Sequence, residues 1–332
     1  MRRNPIAPFP ASLPRRRLLQ AGMLFGLGST LARASTFPER PVRIILPQPP
    51  GGAADRLARI FGERLEARWK QSVVVENRPG GGVVIGTLAT ARAPADGYTF
   101  ALLGSSLSIN AVQRTDLPYD ALKDLQPLAR IGYHTMALVA AASFPANTIA
   151  ELIALAKKQP GQIAYGSNGI GTSAQLAGDM LCHMADVKMQ HVPYNGAAKL
   201  YTDIIGGQLP IGFSVASSAE SFIKAGQLKV LGVTSTQRSP LYPQWPTIAE
   251  TLPGFEAVNW AGFAGPAQLP EAVTQRIAQD ILAIAADPAV GKALAAMGIE
   301  VSTQEPGEFS SFIRSEIARF AAVTRPLAST EK

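Results

Sequence analysis

Short runs of β-branched and apolar residues recur along the chain and predict strands at Val42–Leu46, Val73–Glu76, Tyr98–Leu103, Met136–Ala140, Gln162–Gly166, Met189–Pro193, Leu209–Ser214 and Leu228–Thr234. Helical stripes lie between most of them. Residues 55–69 bring Leu57, Ile60, Phe61 and Leu65 to one face. Residues 148–158 open on a capping box, Thr148-x-x-Glu151, stripe Ile149, Leu152, Ile153 and Ala156, and stop at Pro160-Gly161. Further helices are predicted over 173–184, 197–205 and 217–225. Apolar strands alternating with helices of about 10 to 15 residues imply βαβ units and parallel sheets. Toward the C-terminus, over 270–298 and 306–321, the pattern turns almost wholly helical. There Phe309, Phe312, Ile313, Ile317 and Phe320 form one stripe, which reads as core-facing.

No short internal repeat and no Pro/Ser/Gly-rich tether interrupts the pattern. A chain of 332 residues with 47% hydrophobic content can build a sizeable core and has the length of two domains. Without a linker, those domains should be joined by crossing strands that act as a hinge, with 132–136 and 234–253 as the expected crossings. The expected division is residues 35–134 with 250–332 in lobe 1 and residues 135–249 in lobe 2.

The N-terminus has a different character. Arg2, Arg3, Arg15, Arg16, Arg17 and Arg33 fall within 34 residues that contain no acid, an apolar stretch runs from Ala21 to Leu31, and Ala32-Arg33-Ala34 has small residues at −3 and −1. This is the pattern of an export signal cleaved after Ala34. The run Pro14-Arg15-Arg16-Arg17-Leu18-Leu19-Gln20 is similar to a twin-arginine signal, with general secretory export as the other route. The apolar stretch is too short to span about 30 Å of hydrocarbon. Removing the six leader cations lowers the formal net charge from +7 to +1, so the basic balance belongs to the leader. The remaining charges are evenly mixed, which argues against nucleic acid as a partner. Cys182 stands alone, so no internal disulfide can form.

Candidate chemistry concentrates in loops between strands and helices. Pro47-Gln48-Pro49-Pro50-Gly51-Gly52-Ala53-Ala54-Asp55 joins the first strand to a helix. A glycine turn there exposes backbone N–H groups where the helix dipole also favours an anion; the alternative is an ordinary turn with Asp55 capping it. Ser167-Asn168-Gly169-Ile170-Gly171-Thr172-Ser173 repeats the arrangement, with Thr172 or Ser173 able to cap a helix or donate to a ligand. Gly104-Ser105-Ser106 makes a third polar loop. Ligands of open α/β sheets sit outside the carboxyl ends of strands, so these loops define a cleft of neutral donors. His134, His183 and His191 are the only histidines and none pairs with Cys at zinc spacing. No metal or cofactor is expected. The chain lacks a P-loop and a G-x-S-x-G elbow, and Cys182 reads as a small buried hydrophobe.

Taken together, several motifs resemble one family. Leu46-Pro47-Gln48-Pro49-Pro50-Gly51-Gly52-Ala53-Ala54-Asp55 to Arg59, Val73-Val74-Val75-Glu76-Asn77-Arg78-Pro79-Gly80-Gly81-Gly82, Ala93-Pro94-Ala95-Asp96-Gly97-Tyr98-Thr99, Leu117-Pro118-Tyr119-Asp120, Gly166 to Thr172, His191-Val192-Pro193-Tyr194-Asn195-Gly196 and Leu252-Pro253-Gly254-Phe255-Glu256 stand in the order and spacing of the Bug family, the substrate-binding components of tripartite tricarboxylate transporters. The resemblance implies an α/β, two-lobed periplasmic binding-protein fold of type II, each lobe a mostly parallel sheet flanked by helices, closing over a small carboxylate. It implies ligand contacts from Gln48, Pro49, Pro50, Gly51, Gly52 and Ala53, from Asn168, Gly169, Gly171, Thr172 and Ser173, from Ser105 and Ser106, from Ser214, and from Trp260 in the returning segment. It further implies a periplasmic, monomeric protein that catalyses nothing and partners the membrane subunits of a tripartite transporter. The family usually carries Phe at Gln48, often His at Gln175, and commonly Asp near Ser214. Without an acid at Ser214 an ammonium would lack its partner, so the resemblance points to a carboxylate without an amine. Two alternatives stay open: a sensory binding protein presenting its ligand to a receptor, and an enzyme on the same architecture.

Overall fold

The computed structural model describes residues 37–194 and 196–328; the expected export signal, residues 1–34, lies outside the described residues. The first strand, β1 (Val42–Leu46), is buried at Ile44, Ile45 and Leu46, and leads through α1 (Ala53–Trp69) to β2 (Val73–Asn77). The chain returns by α2 (Val84–Ala91) to β3 (Thr99–Gly104), and β1 pairs in parallel with both β2 and β3. α1 buries Leu57, Phe61, Leu65 and Trp69 on one face, as its 3.6-residue period requires. It closes on Lys70 in the left-handed region, whose N–H donates to the Glu66 carbonyl at 2.9 Å.

After α3 (Ser106–Gln113) comes the ten-residue β4 (Leu125–His134), and Thr135 alone separates it from β5 (Met136–Ala141). That single residue takes the chain from one sheet to another. The second sheet is built from β5, α4 (Ile149–Lys158), β6 (Ala164–Ser167), α5 (Ser173–Ala185), β7 (Gln190–Pro193), α6 (Ala197–Ile205), β8 (Ile211–Val215), α7 (Ala216–Lys224) and β9 (Leu228–Val233). Residues 234–258 carry the chain back to β10 (Asn259–Pro266), which is followed by α8 (Glu271–Ala285), α9 (Pro288–Ala296), β11 (Ile299–Gln304) and α10 (Pro306–Ala328). The strand orders are β11-β4-β10-β3-β1-β2 and β7-β6-β8-β5-β9.

The α/β class and the two helix-flanked sheets agree with the sequence reading, but the sheets are mixed rather than mostly parallel. Every antiparallel pair contains β4, β5 or β10, the strands next to the two passages between sheets. A parallel neighbour needs a crossover of about a dozen residues, and a strand entered directly from the other sheet has none.

The passages are fastened together. Glu300 of β11, 6% exposed, accepts hydrogen bonds from the hydroxyls of Thr135 on the outward passage and of Ser239 on the return, the latter at 2.5 Å, and from Tyr133 at 3.2 Å. α10 serves both cores, placing Phe309 and Ile313 against the first sheet and Phe320 and Val323 among the residues of the second. It approaches β10 closely because residue 262 is glycine: a Cβ there would lie 2.6 Å from the Phe309 ring and 2.9 Å from the Ala129 carbonyl. Among the described residues no helix is long and apolar enough to cross a membrane.

Candidate functional site

Three helices begin at one cavity of about 540 Å³. α1 starts beyond the carboxyl end of β1, α3 directly after β3, and α7 directly after β8, so both sheets contribute. Ala53 and Ala54 line it from the first helix, Ser105 and Ser106 from the second, and Val215, Ser217 and Ser218 from the third. None of these three helix starts is capped by a side chain. Their first-turn N–H groups have no acceptor within the helix, and each helix adds partial positive charge at that end. By contrast, the starts of α4 and α5 are capped by Thr148 and Thr172 and do not line the cavity.

No Asp or Glu is among the described residues that line this cavity; its titratable side chains are Arg56 and His134. Burial pushes the His134 imidazole below the ordinary histidine range, with the backbone of Gly298 pulling the other way. The acid of the first loop, Asp55, is turned inward and 6% exposed. It accepts from Arg59 Nε and Nη2, each at 3.0 Å, from the Gly51 N–H at 3.1 Å and from Asn77 Nδ2 at 3.0 Å, while Asn77 also donates to the Gln48 carbonyl at 3.0 Å. Arg59, then Gly51 and Asn77, hold the Asp55 carboxyl down to about 2. The loop is thereby locked with its acid ionised and occupied. Gly51 makes the turn at φ +88, which an L side chain rarely adopts. Backbone dipoles, hydroxyls and the Arg56 side chain are the groups with which such a cavity can meet an anion.

The model of the tripartite tricarboxylate transporter family receptor, TctC, matches residues 57–328. The chain belongs to this family. It is 33% identical to protein BugT of Bordetella pertussis, over 88% of this chain and 90% of BugT. Among solved structures it resembles the periplasmic binding protein BugD, with TM-score 0.68 and 30% identity over 87% of this chain and 98% of that one. It also resembles R. palustris Rpa4515 with adipate, with TM-score 0.72 and 28% identity over 87% and 97%. The resemblance to the Bug family and the periplasmic binding-protein fold read from the sequence both hold.

In this TctC-family chain the residues expected at the ligand divide into three groups. Gln48, Ala53, Ser105, Ser106 and Trp260 line the cavity. Two of these are committed elsewhere by their side chains. The Ser105 hydroxyl donates to the Val258 carbonyl at 2.9 Å and accepts from the Trp260 N–H at 3.0 Å, tying the loop after β3 to the returning strand. The Trp260 ring is 2% exposed and packs edge-on against Phe309 at 5.2 Å. A second group, Pro49, Pro50, Gly51 and Gly52, shapes the turn but is exposed and does not line the cavity.

The third group lies elsewhere. Asn168, Gly169, Gly171, Thr172 and Ser173 do not line this cavity. The Thr172 hydroxyl donates to the Gly169 carbonyl at 2.7 Å and accepts from the Gln175 N–H at 3.3 Å, while the Gly171 N–H donates to Gln175 Oε1 at 2.8 Å. Ser214 is 1% exposed and its hydroxyl accepts from Tyr201 at 2.7 Å, one residue before the cavity wall at Val215. Sequence reasoning passed over Arg56, His134, Ser217, Ser218 and Asn259. The signal for Ser217 and Ser218 was present: Phe213-Ser214-Val215-Ala216-Ser217-Ser218 is a strand followed by an uncapped polar helix start, as at Gly104-Ser105-Ser106.

Proposed function

We propose that this TctC-family protein is exported to the periplasm, binds a small organic carboxylate in the cavity between its two sheets, and delivers it to the membrane subunits of a tripartite transporter without catalysing a reaction. The observation that carries this reading is the convergence of three uncapped helix starts on a cavity whose described lining includes no acid. Such a site favours carboxylate oxygens and offers an ammonium no partner. That Rpa4515 carries adipate supports the same class of ligand. On this reading residues 1–34 form the export signal, removed after Ala34, and the mature protein acts as a monomer. Lobe 1, residues 35–134 and 250–332, and lobe 2, residues 135–249, close about Thr135 and the 234–258 return. The contacts proposed are Gln48, the N–H groups of Ala53 and Ala54, Ser106, Ser217, Ser218 and Asn259.

The test is a melting screen of the mature protein against mono-, di- and tricarboxylates, followed by calorimetry on each hit. A ligand that binds only the folded state adds roughly 2.7 kcal/mol at about 100 times its Kd. If no carboxylate raises the melting temperature, the ligand class is wrong. Product formed from a hit at catalytic amounts of protein would instead mean an enzyme.

A further inference from the structure

We propose that His134 takes up a proton when the cavity fills with a carboxylate, so that binding tightens as pH falls; this rests on the carboxylate reading above. His134 ends β4, in register with Asn259 of β10 on one side and Ile299 of β11 on the other. His134 lines the cavity, and its Nδ1, buried beside the backbone of Gly298, makes no close hydrogen bond. The imidazole thus has bonding capacity that its protein neighbours leave unused, at a residue of the cavity wall.

The surroundings hold no fixed negative charge for it. β10 presents Asn259 to the cavity, the end of α9 presents Ala296 and Met297, and α7 presents Ser217 and Ser218. Gly298 brings backbone, with Ser217 Oγ only 2.4 Å from where a Cβ on Gly298 would stand. The nearest acid along β11 is Glu300, but Glu300 pairs with Tyr133 whereas His134 pairs with Ile299. Alternation along a strand puts those two pairs on opposite faces, and Glu300 is engaged with Thr135, Tyr133 and Ser239. Arg56 is the one cation among the described lining residues, and it opposes protonation together with the three helix starts. Before binding, therefore, burial and positive potential both favour the neutral ring. An anion within about 4–6 Å reverses that balance. His183 is exposed on α5 and His191 bonds Ser167 at 2.7 Å; neither lines the cavity.

The test uses the mature protein with adipate, malate and succinate as probes, between about pH 7 and pH 8, where both carboxyls of each probe are ionised. Calorimetry in two buffers of different ionisation enthalpy should show net proton uptake on binding. Affinity should rise as pH falls, by up to about tenfold for each unit by which the ligand raises the His134 pKa. In His134→Gln both effects should vanish. Ring-proton NMR of the wild type, following His134 with and without the probe, gives the same answer if that variant does not fold. Binding without proton uptake, or uptake that persists in His134→Gln, would overturn the proposal and leave the carboxylate reading standing. If none of the three probes binds, the proposal falls, and the melting screen above decides the carboxylate reading by itself.

Discussion

The indole Nε1 of Trp260 donates to Oε2 of Glu316 at 2.6 Å, with the tryptophan 2% exposed and the carboxyl fully enclosed. The bond fixes the aromatic ring of the returning strand against α10, where Phe309 and Phe312 meet it edge-on. Glu316 holds its other oxygen, Oε1, without a partner, in the region where α10 packs on α3.

That enclosure sets the pH dependence of folding. Burial pushes the Glu316 carboxyl up from 4.5 to about 7, so over that interval the folded chain binds the proton more tightly than the unfolded one. Stability is then greatest below about 4.5 and falls as pH rises through about 7, a loss on the order of a few kcal/mol. Glu316→Gln keeps an acceptor for Trp260 and removes the charge. Urea denaturation should find the variant no less stable than wild type at pH 5 and more stable at pH 8; equal pH profiles would show that Glu316 does not titrate in this range.

Asp55 behaves in the opposite sense. Its carboxyl is held at about 2 against an ordinary 3.8, so it contributes stability above the ordinary value that disappears as pH falls through about 2. Asp55→Ala leaves Arg59, the Gly51 N–H and Asn77 without their acceptor. It should cost about 1–3 kcal/mol at neutral pH and weaken ligand binding by loosening the first loop. A melting temperature matching wild type at pH 7 would contradict this.

Ala53→Pro tests whether main-chain donors hold the ligand. Proline is well tolerated at the first position of a helix, and Gly52 already has φ −79 and ψ 178, the extended conformation favoured before proline. The fold should survive while one N–H facing the cavity is lost. A hydrogen bond to a charged group is worth about 1.5–3 kcal/mol, so affinity should drop about 10- to 150-fold by calorimetry. Unchanged affinity would remove Ala53 from the site.

Thr172→Ala separates capping from contact. Its hydroxyl is engaged with Gly169 and Gln175, so the variant should lose about 1 kcal/mol of stability and keep its affinity. A large loss of binding with an unchanged melting temperature would place Thr172 at the ligand instead.

The residues that the sequence exposes well are those whose local pattern agrees with their tertiary role. β1 falls on its expected bounds, and α4 carries the Thr148 cap and stripe that its sequence announces. β4, β10 and β11 escaped. β4 contains Pro127, Arg130 and Gly132, and β10 contains Gly262, Gly265 and Pro266, which read as turn chemistry. Tertiary contacts supply the reasons: β11 pairs only with residues 130–134 and stops short of Pro127, while Gly262 admits α10. α2 was equally hidden. It starts from Val83 at φ +73, and its Thr87 and Thr90 hydroxyls donate to the carbonyls four residues earlier, so packing overrides weak propensity. At the site, glycine and serine loops marked the first-sheet wall. Nothing local could reveal that His134, at the end of an unrecognised strand, lines the same cavity as Ser217 and Ser218.

The uncapped helix starts have a consequence for how this protein can diverge. A donor that belongs to the main chain survives every substitution at its own position except proline, so attraction for negative charge is inherited with the path of the backbone. On the proposed reading, the choice of cargo falls instead to side chains of the cavity wall such as Gln48, Ser217 and Asn259. On that reading, changes at these few side chains would exchange one ligand for another while the main-chain donors kept their preference for negative charge.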